Sequence, residues 1–405
     1  MAPHTLAELL APFDAEAFLR NCWSQNFQYF PGTPGRFSEL LPWSVLNRIL
    51  RQHRLDSPRI RLFREGESVP PNSFLSYQTS RRKTQIPRLR TAELTRELRN
   101  GATLVLDAVD ELHDPITALA EALESVFRVR IQVNAYAGWR TSHGFDLHWD
   151  DHDVFIVQVA GRKQWKVYGM TRKYPLKADS GPDLHPPEAP LWEGLLEDGD
   201  LLYIPRGWWH VATPLDEPTL HLTIGVHNPT GMDLLSWFVD RLRTSEDVRQ
   251  DLPRFASRPE QAAFADRIRN LFLEQWHPGL LQLYWGDMDA KAEPRPVLGL
   301  PWSAGRDALP PPGSPFQVKW NVPRPIIPKS NGHQEFEIAC NGRSWRFAEG
   351  ARPIVELLRE KNSCSAAELH AVVSGHLDPQ TVRAFLGELV SSGLAVIVDH
   401  SAPHE

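Results

Sequence analysis

The chain of 405 residues has only three cysteines, Cys22, Cys340 and Cys364, scattered and odd in number. Such a set excludes a disulfide framework, offers no zinc-binding spacing and fits a reducing compartment. No apolar run approaches the length of a membrane-spanning helix. The start, MAPHTLAELLAPFDAEAF, lacks the basic region and long apolar stretch of a secretory signal. A basic surplus is missing too: 44 Lys and Arg against 50 Asp and Glu leave a net charge of −6. That balance argues against non-specific nucleic-acid binding as the main role. The expectation is a cytoplasmic protein without a membrane anchor.

What is present is ordinary in bulk and unusual in detail. A hydrophobic fraction of 41% and a charged fraction of 23% describe a globular chain. Its length allows two or three domains with ample core. Fourteen Trp and 35 Pro are high counts, and several Trp flank the segment that carries the chemistry, which predicts an aromatic-walled pocket.

That segment is GFDLHWDDHDVFIVQVAGRKQWKVY, from Gly144 to Tyr168. In extended chain, side chains two apart share a face. His148 and Asp150 can therefore serve one metal ion, with His210 of GDLLYIPRGWWHVATP as the third ligand. Two neutral imidazoles and a carboxylate on one side of an ion make the facial triad of non-heme Fe(II) oxygenases. Parity alone leaves the choice open, because Asp146, His148, Asp150 and His152 all share that face.

The segment resembles the JmjC-type oxygenases, most closely their ribosomal-oxygenase branch. Asn134 and Tyr136 in NAY, the HWD triplet, DVFIVQV, GRKQWKVY, DGDLLYIPRGWWH and LHLTIG carry the resemblance, in that order, across most of residues 130 to 226. The family pattern assigns Fe(II) to His148, Asp150 and His210 and leaves His152 as an ordinary polar residue. It assigns Lys163 to the far carboxylate of 2-oxoglutarate, a place where a charge-assisted hydrogen bond is strong. Arg162 is read as solvating the turn. Asn134 and Tyr136 are given pocket roles, and Thr223 a hydroxyl for the 2-oxoglutarate. The sequence departs from the pattern at Trp139, Arg140 and His143, and at Trp208 and Trp209. All five are expected to reshape the substrate mouth and leave the metal centre alone.

Along the chain, residues 5 to 28 read as helix, with Asp14 capping a second segment. A helix from about Pro42, a strand over RIRLF and helices near Thr91–Asn100 and Pro115–Phe127 follow. Residues 65 to 90 read as a loop or meander in which Arg81, Arg82 and Lys83 form a solvated turn. From Arg128 to Asn228, short strands between Gly, Pro and Asp turns predict an antiparallel double-sheet barrel, a jelly-roll or cupin core. Met170–Glu197 is expected to be a loop, with His185 an ordinary loop histidine. The expected divisions are a JmjC double-stranded β-helix domain with a helical lead-in (1–228) and a helical dimerisation region (229–300). A linker (301–315) rich in Pro and Gly and a winged-helix-like module (316–405) complete them. From Phe316 onward nine Lys and Arg face ten Asp and Glu, which does not suit a DNA reader.

The resemblance implies hydroxylation with Fe(II), 2-oxoglutarate and O2, on a protein side chain and with a ribosomal protein as the family substrate. The same chemistry on a small or ribosomally made peptide is one alternative. A non-catalytic cupin-like scaffold is another. The product could equally be a demethylated residue. A homodimer is expected.

Overall fold

The computed structural model describes residues 2–179, 185–330, 332 and 334–398, so positions 180–184 of the expected 170–197 loop lie outside the described residues. Its contacts divide the chain into two units, Met1–Asn228 and Pro229–Glu405.

The first unit opens with two short helices, the second capped by Asp14 as expected. Thr5 caps α1 (Leu6–Leu10), and the Asp14 carboxylate accepts from the N–H groups of Glu16 and Ala17 to start α2 (Ala15–Asn21). Proline at position 12 cannot continue a helix, which ends the first early. The chain then enters β1 (Gln28–Phe30), α3 (Trp43–Gln52), β2 (Ile60–Arg64), β3 (Glu67–Val69), the hairpin β4 (Leu75–Thr79) and β5 (Gln85–Leu89), α4 (Thr91–Arg99) and β6 (Thr103–Leu106). Helix α5 (Asp114–Phe127) buries Ile116, Leu119, Ala120 and Leu123 at helical spacing. Its Glu124 and the nearby Asp110 accept backbone N–H groups from Ile131 and Val133, which fixes the start of β7 (Ile131–Gly138).

The remaining strands are β8 (Asp153–Ala160), β9 (Lys163–Met170), β10 (Trp192–Leu196), β11 (Leu201–Ile204), β12 (Trp208–Pro214) and β13 (Thr219–Val226). One antiparallel sheet runs β1-β11-β8-β13-β7-β6-β2-β3, and a second runs β10-β9-β12. Strand β8 reads as one continuous apolar run because both of its faces are covered. Phe155, Val157 and Val159 join the main core, whereas Val154 and Ile156 face Trp165, Val167 and Leu196 of the second sheet. This is a mixed α/β, cupin-like arrangement of antiparallel sheets.

The second unit begins with α6 (Gly231–Arg241), α7 (Glu246–Arg249), α8 (Arg258–Gln275) and α9 (Leu280–Lys291), packed around Trp237, Phe238, Leu242, Leu280 and Tyr284. Phe264 is the one buried residue of α8, with Phe272 edge-on to Phe238. A separate core further on holds Val318, Phe336, Ile354, Leu369 and Leu389 between two three-stranded sheets and three helices. The Pro- and Gly-rich stretch 301–315 packs on that core: Ala308 and Leu309 are buried in it, and Arg383 donates to the carbonyl of Pro310. Ser365 and Glu368 form the reciprocal cap expected from their spacing.

Candidate metal centre and its cavity

The HWD triplet does not lie in a strand. It forms an irregular segment just before β8, laced to the start of β12 by backbone hydrogen bonds. His148 N–H donates to the His210 carbonyl (3.2 Å), His210 N–H to the His148 carbonyl (2.7 Å) and Gly207 N–H to the Asp150 carbonyl (2.9 Å). Gly207 holds φ +81°, so this tight turn suits glycine. Behind the triplet, the buried Asp153 carboxylate accepts from Tyr203 Oη (2.8 Å) and Arg206 N–H (3.2 Å). Two segments sixty residues apart are thereby locked side by side.

The side chains converge. His210 Nε2 lies 3.5 Å from one Asp150 oxygen, and His148 Nε2 lies 4.0 Å from the other. One ligand atom from each of the three residues falls within 4.8 Å of the other two. Each imidazole turns its Nδ1 to a backbone carbonyl, His148 to Asp146 (2.7 Å) and His210 to Trp208 (3.0 Å). With Nδ1–H donating, Nε2 is left as a lone pair pointing at the shared space, the tautomer that a metal needs. Burial, with His148 beside it, lowers the His210 imidazole to about 4, so it is neutral near pH 7. Burial alone would raise the Asp150 carboxyl, but the imidazoles of His210 and His148 outweigh it and hold it below its ordinary value. Two neutral nitrogens and one ionised oxygen fit a divalent ion such as Fe(II).

The triad opens into a cavity of about 360 Å³ between the two sheets. The seven residues given metal or co-substrate roles in the sequence all line it: Asn134, Tyr136, His148, Asp150, Lys163, His210 and Thr223. Register explains how. On the large sheet Thr223 lies between Asn134 of β7 and Ile156 of β8, and His221 lies opposite Tyr136. Lys163 comes from the second sheet, directly after the Gly161 turn. Gly161 has φ +66°, and a Cβ there would stand 2.0 Å from the Pro218 carbonyl oxygen, so the turn that aims Lys163 demands glycine.

Lys163 is buried, and its ammonium has no carboxylate partner among the described residues. The Nζ stands 5.8 Å from the centroid of the Trp165 ring. Desolvation pulls its pKa down to about 7. Arg162 beside it behaves differently, lying exposed in a two-pronged pair with Glu217 (3.0 Å for both bonds). Asn134 uses its side-chain oxygen to accept the Ala108 N–H (3.0 Å), and the Tyr136 hydroxyl is pushed well above its ordinary value by burial.

His221 escaped the sequence reading. It is buried, stacked flat on Tyr136 at 4.9 Å, and its Nδ1 has no hydrogen-bond partner among the described residues. Burial and the neighbouring Lys163 hold its pKa far below the ordinary value. The available signal was its position two residues before Thr223, on the same strand face. Arg61, Phe145 and His227 also line the cavity and carried no recognisable motif.

The expected departures fall elsewhere. Trp208 packs into the inter-sheet core against Phe27 (5.7 Å), and Trp209 donates to Thr171 (3.0 Å). A register shift between Trp208 and His210 lets both indoles bury themselves while His210 keeps its place. Trp139 lies tilted against Trp43 (5.7 Å), Arg140 pairs with Asp216, and His143 pairs with Asp146. None of these five is among the residues that line the cavity; they pack against neighbours or pair with carboxylates. The aromatic wall is thinner than the tryptophan count suggested, with Trp165 the one tryptophan among the described residues that line it.

Residues 110–234 match the family model described as JmjC domain. Among curated proteins the chain is similar to the bifunctional lysine-specific demethylase and histidyl-hydroxylase NO66 of Drosophila pseudoobscura pseudoobscura. The two are 29% identical over 262 residues, covering 61% of this chain and 26% of that protein. The protein of the same name from Dictyostelium discoideum is 27% identical over 266 residues, covering 62% of this chain and 50% of that one. The chain thus spans about a quarter to a half of the length of these relatives. Among solved structures it shares the fold of YcfD, a ribosomal oxygenase from Escherichia coli. There the TM-score is 0.57 at 20% identity, over 96% of this chain and 99% of that one. The structure of YcfD with cobalt and 2-oxoglutarate gives a TM-score of 0.55 at 19% identity, over the same shares.

Proposed function

We propose that this chain is an Fe(II)- and 2-oxoglutarate-dependent hydroxylase of a protein side chain, with a ribosomal protein as substrate. The observation that carries the reading is one cavity holding both halves of the required chemistry. At one place two Nε2 lone pairs and a carboxylate converge, and at another a buried lysine lacks an anion. His148, Asp150 and His210 would hold the iron. Bound Fe(II) supplies the activation of O2, so that 2-oxoglutarate, O2 and a substrate C–H end as succinate, CO2 and a hydroxylated side chain.

The chain's own residues bind and orient. Lys163 takes the far carboxylate of 2-oxoglutarate, which provides the partner a buried ammonium needs. Thr223 offers a hydroxyl on the facing sheet, and His221 an Nδ1 beside the lysine. Tyr136 and Asn134 close the wall. The names of the relatives, a histidyl-hydroxylase and a ribosomal oxygenase, support a protein substrate.

The same reading extends to the rest of the chain. Met232, Leu235 and Val239 form an exposed apolar stripe on α6, which supports a homodimer through residues 229–300. Residues 316–405, with three helices and small sheets, read as a winged-helix-like module that contacts protein rather than DNA. No helix among the described residues is long and apolar enough to cross a membrane, and we place the protein in the cytoplasm.

Mass spectrometry of ribosomal proteins from cells with and without this gene tests the proposal. Gain of one oxygen atom on a single residue, lost with the gene and restored by purified protein with Fe(II) and 2-oxoglutarate, is the expected outcome. Loss of a methyl group instead would make the chain a demethylase, and no change in any ribosomal protein would remove that substrate.

A further inference from the structure

We propose that Asp151, His152 and His227 form a second divalent-cation site, at the rim of the cavity and separate from the iron triad, suited to an ion of the zinc class. One ligand atom from each of the three lies within 4.8 Å of the other two. The two imidazoles stand nearly parallel, 26° apart with centroids at 4.2 Å. Asp151 reaches His152 Nδ1 at 3.0 Å. His152 and His227 both line the cavity, and His227 is exposed, which puts the cluster where cavity meets solvent.

Sheet register places these residues. Val226, the last residue of β13, pairs with Asp153, the first of β8. His227 and His152 are the next residues outward on the two strands, so they face each other just beyond the sheet's end. The sheet also makes room for the ring: a Cβ on Gly225 would stand 3.0 Å from His152 Cδ2 and 3.1 Å from Nε2. Two imidazoles and a carboxylate are the donors zinc takes when a fourth position stays open. The two sites share no residue, although Asp150 and Asp151 are adjacent. A cation here would offer its open position to a carbonyl or carboxylate of an arriving substrate.

Titration of the metal-free full chain with Co2+, followed by visible absorption and equilibrium dialysis, decides the matter without reference to turnover. Wild type should bind two ions per chain. His148→Ala/His210→Ala should keep one, and His227→Gln should also keep one. Combining all three changes should leave none. Loss of a direct ligand should weaken the second site at least as much as loss of a ligand's supporting partner, about 10–100-fold. A chain that binds one ion, lost entirely in His148→Ala/His210→Ala, would overturn the proposal, as would unchanged binding of two ions by His227→Gln. Should the double variant fail to match the circular dichroism of wild type, the wild-type and His227→Gln stoichiometries decide alone. Failure of the triad as a metal site reads differently, since His227→Gln would then abolish the only ion bound.

Discussion

The two working ends of the cavity are built on opposite plans. At the metal end polar groups have their partners: each imidazole is held by a backbone carbonyl, and the Asp150 carboxylate by the imidazoles. At the lysine end groups are left wanting. Lys163 has no counter-ion among the described residues, and His221 Nδ1 and the Trp165 indole N–H have no hydrogen-bond partners. Buried unpaired polar groups are costly, and a structure that keeps several together has a reason to do so. One end is already organised; the other, on the proposed function, would be completed by 2-oxoglutarate.

The largest expected effect breaks the organised end. His210→Ala should cost the triad its metal, read as loss of one bound Fe(II) or Co2+ in anaerobic titration. His152→Ala should leave the triad's ion in place. Equal loss of that ion in both variants would reassign the ligands.

The next breaks the waiting end. Lys163→Ala should raise the 2-oxoglutarate requirement by at least an order of magnitude, since removing one partner of a buried pair costs roughly 3–5 kcal/mol. Metal affinity should hardly move. Unchanged 2-oxoglutarate affinity would return the lysine to a packing role.

A smaller effect sharpens the contrast through pH. The folded pKa of Lys163 is lowered from 10.5 to about 7. Between these values the unfolded chain keeps a proton that the folded chain has released, so stability of the ligand-free protein should rise with pH across that window. Below pH 7 the buried charge is present and costs on the order of 5 kcal/mol at 1.36 kcal/mol per unit. Lys163→Met should therefore raise the melting temperature at pH 6 while weakening 2-oxoglutarate binding. In wild type that binding should weaken as pH climbs above 7, because the bound acid needs the ammonium form. A pH-independent affinity would contradict this.

The smallest expected effect is a control one residue away. Arg162 has its partner in Glu217 at the surface, so Arg162→Ala should leave 2-oxoglutarate affinity unchanged. A large loss would shift the anion-binding role to the arginine.

Spacing offered the candidates and the family resemblance chose among them, and the groups concerned are local. His148 and Asp150 are two residues apart, and Lys163 follows a turn that only glycine fits. The strands from Ile131 to Val226 were legible from their apolar runs and turn residues. What stayed hidden depends on register. His221 enters the site because β13 is sandwiched between β7 and β8, and His227 meets His152 because the same strands end together. The HWD triplet was read as strand because two-residue parity also suits the irregular segment it occupies, whose partner is supplied by His210. The burial of Trp208 and Trp209 was hidden because a bulge leaves no trace in a one-dimensional pattern.

Conversion of 2-oxoglutarate to succinate by the purified chain with Fe(II) and O2, with no peptide added, tests the central claim most directly. Slow uncoupled turnover is expected from wild type, lost in His210→Ala and shifted to higher 2-oxoglutarate concentration in Lys163→Ala. No succinate from metal-loaded wild type, or equal amounts from wild type and His210→Ala, would contradict the account.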